Sequence, residues 1–71
     1  MANLSNQLQK QLLQLIDSEL APGQQLPSEP ELAAYFKASR SSVREALRGL
    51  ELDGVVYAVQ GKGRFVSQLG V

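Results

Sequence analysis

The chain has neither cysteine nor histidine among its 71 residues. Without thiols there are no disulfides and no thiolate nucleophiles; without imidazole the usual zinc ligand sets and the commonest general base are missing too. Carboxylates and hydroxyls remain as the only candidate catalysts, and nothing supplies a base with a tuned pKa, so a small hydrolase built on Glu and Ser is a poor reading. The expectation is a protein that is not an enzyme, with no cofactor and no metal. No apolar run approaches the roughly 20 residues that a bilayer span requires. The start, Met1-Ala2-Asn3-Leu4, lacks a charged segment followed by an apolar block. A soluble protein of the cytoplasm is expected, and the want of cysteine fits a reducing compartment. The length allows one domain over residues 1–71, with a modest core and no deep pocket.

An excess of charge of either sign is also lacking, since the formal net charge is zero. That balance is an average over unlike segments. Up to Pro27 the only base is Lys10, against Asp17 and Glu19. From Ser28 to Asp53 four bases, Lys37, Arg40, Arg44 and Arg48, face five acids, Glu29, Glu31, Glu45, Glu51 and Asp53. After Gly54 the only charged residues are Lys62 and Arg64.

What is present is a regular apolar period. Leu4, Leu8, Leu12, Leu15, Ile16 and Leu20 recur every three to four residues, which predicts an amphipathic helix over about 4–20. Pro22-Gly23 ends it, because Pro removes a ladder donor and Gly takes the turn readily. Ser28-Glu29-Pro30-Glu31 reads as a capping box, with Pro30 in a first turn where its missing N–H costs nothing. A short helix over 29–36 follows, with Leu32, Ala33, Tyr35 and Phe36 as its apolar set. Lys37-Ala38 leaves room only for a turn, and Ser39 is a good N-cap for a third helix over 40–52.

In that third helix Val43, Ala46, Leu47 and Leu50 follow the spacing of a buried face. At ~100° per residue Arg40, Arg44 and Arg48 share a sector of ~80° directed away from it. Two helices joined by a tight turn, the second bearing such a stripe, match the helix-turn-helix plan, in which the second helix enters the major groove of duplex DNA. Ser41 and Ser42 are small enough to let the helix start approach a phosphate or a base edge. A solvated arginine face is the plainer alternative, with Glu45 and Glu51 near enough to pair with Arg48.

Asp53-Gly54 ends the third helix, and Val55-Val56-Tyr57-Ala58-Val59 is rich in strand-forming types. Gln60-Gly61-Lys62-Gly63 is turn chemistry, so strands over about 55–59 and 64–68 form an antiparallel hairpin. Such a hairpin is marginal alone, and Val56, Phe65 and Val66 are expected to dock it on the helices. Glycines on both sides of Lys62 let the backbone come close to a polyanion, while Lys62 and Arg64 supply charge. A phosphate-binding P-loop fails on spacing: no Gly stands five residues before Gly61, and no Ser or Thr follows Lys62.

The string LPSEPELAAYFKASRSSVREALRGLELDGVVYAVQGKGRFV, within the segment from Pro22 to Val66, resembles the N-terminal DNA-binding domain of the GntR family of bacterial transcriptional regulators. The pieces that carry the likeness are PG before LPSE, the ELA helix, SR and VREAL with GL after it, the Asp-Gly turn, and GKGRFV. The resemblance implies a mainly helical α+β fold, a winged helix-turn-helix of three helices and a two-stranded hairpin wing. It also implies binding to palindromic operators by a dimer, usually in repression, under control of a small-molecule effector held by a separate C-terminal domain absent from these residues. By the same likeness Ser39, Arg40, Ser41, Ser42 and Arg44 correspond to recognition-helix contacts, and Gly61 to the wing-tip residue that approaches the minor groove. Arg48, Lys62 and Arg64 are assigned as phosphate contacts from their chemistry. Two positions depart from the family: Pro30 stands where Arg is common, which removes a DNA contact from the start of the second helix, and Arg64 stands where Thr is usual. With the dimerising domain absent, these residues are expected to be monomeric in solution and to pair on DNA. The rival reading is a winged module whose basic face meets an acidic protein.

Overall fold

The computed structural model describes residues 4–67. Three helices lead into one antiparallel hairpin: α1 Leu4–Glu19, α2 Glu29–Phe36, α3 Arg40–Leu52, β1 Val56–Val59 and β2 Gly63–Val66. The helices agree with their sequence expectations to within a residue. The strands are one residue shorter at the start of β1 and shifted by one at the start of β2; Gln68, at the end of the expected strand, lies outside the described residues.

The heptad-like period of α1 does what its spacing requires. Leu8, Leu12 and Ile16 are buried, with Leu15 and Leu20 packed at the margin. α3 is the central element: Val43, Ala46, Leu47 and Leu50 are buried, and the helix is packed by α1, α2 and β1. Leu32 from α2, Leu26 from the preceding loop, and Val56 and Val66 from the hairpin complete the core. No helix among the described residues is long and apolar enough to cross a membrane.

Local chemistry sets the boundaries. The Ser28 hydroxyl accepts from the Glu31 amide at 3.2 Å, and the Ser28 amide donates to the Glu31 carboxylate at 2.9 Å, so the capping box is complete. α2 ends at Lys37, a non-glycine residue in the left-handed region (φ 55°), whose amide turns back toward the carbonyls of Ala33 and Ala34. Ser39 caps α3 by accepting from the Ser42 amide at 3.1 Å. After Asp53, Gly54 takes φ 79°, and the Val55 amide closes back on the Leu50 carbonyl at 2.9 Å.

The hairpin pairs Val56 with Val66, Tyr57 with Phe65, Ala58 with Arg64 and Val59 with Gly63. Side chains alternate across a strand, so Val56, Val66, Ala58 and Arg64 share one face. Tyr57 and Phe65 stack on the other, ring centroids 5.7 Å apart. Val56 and Val66 are buried as expected, whereas Phe65 is only half-buried, because its register puts it on the face opposite the core.

The hairpin is also held on its second side. Residues 23–26 run along β2: Gly23 donates to the Val66 carbonyl at 2.8 Å, Val66 to the Gln24 carbonyl at 2.9 Å, and Leu26 to the Arg64 carbonyl at 2.8 Å, with an isolated bridge between Gln25 and Phe65. This extra edge explains how so short a hairpin keeps its place, since a two-stranded ribbon has little stability of its own.

Candidate nucleic-acid interface

The exposed side of α3 carries Arg40, Ser41, Arg44 and Arg48, while Ser42 is half-buried. The Ser39 hydroxyl caps the helix and donates to the Ser42 hydroxyl at 2.9 Å, so these two predicted contact residues are already joined at the helix start. Lys62 and Gly61 lie exposed at the tip of the hairpin, where Gly61 takes φ 80°.

The tip is braced from below. The Gln25 side-chain amide donates to the Lys62 carbonyl at 2.6 Å. Gly63, at φ 122°, lies under that amide: a Cβ there would stand 2.9 Å from Gln25 Nε2. An open cleft of about 690 Å³ separates the hairpin from the start of α2, with Lys62 and Arg64 on one wall and Ser28, Glu29 and Pro30 on the other.

Glu29 joins the two halves of the surface. Its Oε1 accepts from Arg44 Nη2 of α3 at 3.3 Å, and its Oε2 accepts from Arg64 Nη1 of β2 at 3.0 Å. Arg64 also donates through Nε to Glu51 Oε2 at 2.5 Å. The α3 arginine row and the hairpin therefore meet on one carboxylate, at one side of the molecule. The two arginines differ in how they are held. Among the described residues Arg44 has one carboxylate partner and a side chain 62% exposed; Arg64 has two and a side chain 23% exposed.

Partial desolvation acts to raise the Glu29 carboxyl, but hydrogen bonds and charge from Arg64 and Arg44 outweigh it and hold it below the ordinary glutamate value. Glu31 is lowered by the Ser28 amide and hydroxyl of the capping box. Burial acts against the charge on Arg64, and Glu51 and Glu29 more than offset it, so this guanidinium stays charged.

Arg40, Arg44, Arg48, Ser41, Gly61 and Lys62 are thus presented outward, Ser39 and Ser42 form the cap, and Arg64 is turned into a carboxylate clamp. Arg64 is engaged through its guanidinium by Glu29 and Glu51 within the domain. Its register with Ala58 puts it on the inner face, within reach of two acids. Glu51, expected beside Arg48, reaches Arg64 instead. No local pattern in the sequence points to Gln25, and Glu29 reads there only as part of a cap. Gln25 meets Lys62, 37 residues away, and Glu29 meets Arg44 and Arg64, 15 and 35 residues away, beyond any local pattern.

Three helices ending in a hairpin, with a basic outer face on the last helix and a glycine-flanked lysine at the hairpin tip, define a winged helix-turn-helix domain. The family model for bacterial regulatory proteins of the gntR family matches residues 4–66, and the chain belongs to that family. It is 41% identical over 63 residues to an arabinose metabolism transcriptional repressor of Geobacillus stearothermophilus, and 44% identical over 63 residues to the HTH-type transcriptional repressor NagR of Bacillus subtilis. Each match covers 87% of this chain but only 17% and 26% of those proteins, so the chain spans about a quarter or less of their length. Among solved structures it is similar to the AraR DNA-binding domain in complex with operator ORX1, with TM-score 0.85 and 34% identity, covering 94% of this chain and 82% of that one.

Proposed function

We propose that this domain binds duplex DNA sequence-specifically as the operator-reading part of a transcriptional repressor. The recognition helix α3 enters the major groove, and the hairpin acts as a wing whose tip meets the minor groove. The observation that carries this reading is the sharing of Glu29 between Arg44 and Arg64, which brings the arginine face of α3 and the wing to one side. Arg40 and Arg44 read base edges, since a guanidinium fork matches the two acceptors of guanine. Ser39, Ser41 and Ser42 fix the helix start on the DNA backbone and neighbouring bases. Arg48 and Lys62 neutralise phosphates, and Gly61 lets the wing backbone approach closely. The similarity to a domain solved on operator DNA supports the same partner here.

The same reading makes the 71-residue chain a monomer in solution that pairs on a palindromic site, with half-sites about one helical turn or less apart. In the whole regulator, acting in the bacterial cytoplasm, dimerisation and a small-molecule effector belong to a further domain. The test is enrichment of a pool of random duplexes by the purified chain, read by sequencing. A recurrent half-site in inverted repeat is expected. A pool left without enrichment overturns the reading and is the result that an acidic protein partner would give.

A further inference from the structure

We propose that Arg64 is a positioning residue that sets the aim of Arg44, rather than a phosphate contact. This rests on the reading of duplex DNA as the partner. The chain of atoms is continuous: Glu51 and Glu29 hold the Arg64 guanidinium from two sides at 2.5 and 3.0 Å, and the second oxygen of Glu29 receives Arg44 at 3.3 Å. Glu51 belongs to α3, Glu29 to the first turn of α2 and Arg64 to the wing strand. One guanidinium thus ties the wing to α3 directly and, through the first turn of α2, to Arg44.

The direction of control follows from how tightly each partner is held. A free glutamate side chain at the start of a helix samples several rotamers. Glu29 is denied that freedom, because Oε2 is fixed by an arginine that is itself fixed by Glu51. Oε1 then presents a defined acceptor to Arg44, whose long side chain otherwise has many conformers to lose on binding. Arg44 keeps most of its five donors for a target, and its single, longer bond to Glu29 is the one that yields when a base edge or phosphate competes. Arg64 is held more firmly, with Nε and Nη1 both engaged and its side chain half-buried.

The test uses the 71-residue chain, with the duplex it enriches from a random pool and a scrambled duplex of equal length. Discrimination is the ratio of the two dissociation constants, measured over a range of salt. Arg64→Met is expected to cut discrimination about five- to tenfold while leaving the salt slope unchanged, and to cause no further loss in an Arg44→Ala background. Arg64→Lys, which keeps the charge but not the fork, should fail to restore discrimination. A slope lower by about one unit, with equal weakening on both duplexes, makes Arg64 a phosphate contact and overturns the proposal. Unchanged discrimination, or a loss that persists without Arg44, overturns it as well. If Arg64→Met does not fold, Glu51→Gln carries the test: reduced discrimination supports positioning, and undiminished discrimination overturns it. Failure of the wild-type chain to enrich any duplex is a separate result, which removes the DNA reading itself.

Discussion

Arg44 and Lys62 are both exposed cations, yet the roles proposed for them separate in a titration. Arg44→Ala removes a fork able to meet two acceptors of one base, so the loss should fall on the preferred duplex and amount to about 1–3 kcal/mol of discrimination. Lys62→Ala removes a point charge at the wing tip. It should weaken binding to every duplex alike and lower the salt slope by about one unit. Fluorescence anisotropy on matched and scrambled duplexes, repeated at several salt concentrations, separates the two. Glu29 adds a dependence on acidity. Its carboxyl is held below the ordinary value near 4.5, so the folded chain takes up that proton less readily than the unfolded chain. The stabilisation is complete above the ordinary value and disappears as pH falls through the lower, folded one. Thermal melts from about pH 6 down to about pH 3 should therefore fall less steeply for Glu29→Gln than for the parent chain.

At the scale of elements, the caps and turns make the sharpest predictions. Ser39→Ala removes the acceptor for the Ser42 amide and should cost about 0.5–2 kcal/mol by chemical denaturation. The wing answers to a different residue. Gly63→Ala demands φ near 122° from a residue with a Cβ and pushes that atom to 2.9 Å from the Gln25 amide, so a loss on the order of 1–3 kcal/mol is expected. The melting temperature checks it, and Gln25→Ala in the same background should relieve only the contact and not the backbone strain. The helices were legible because their information is local: an apolar period in α1 and α3, a capping box at Ser28, an N-cap serine at Ser39. The left-handed Lys37 was not, because nothing in its side chain signals that conformation. It was readable as a turn but not as the cap of α2.

For the whole molecule, the core is small enough that single residues matter. Leu12 is fully buried on α1, and Leu12→Ala should cost about 2–5 kcal/mol through lost burial and the cavity left behind. Set against a total stability of about 5–15 kcal/mol for ordinary domains, that is a substantial share for one side chain, visible as a lowered melting midpoint by circular dichroism. The arginine row was visible in the sequence as a helical sector, and the wing tip as a glycine-flanked lysine. The link between them was not. Glu29, Glu51 and Arg64 come from three elements far apart along the chain, and only their packing reveals that two acids near the arginine row serve the wing. The strip at 23–26 was likewise hidden, since an extended loop and a strand edge look alike until a neighbour supplies the hydrogen bonds. Its consequence is mechanical. With β2 stitched to β1 on one flank and to the α1–α2 connection on the other, a protease nick between Gly61 and Lys62 would leave the two fragments clasped, and a tug on the wing would be felt at the C-terminal end of α1.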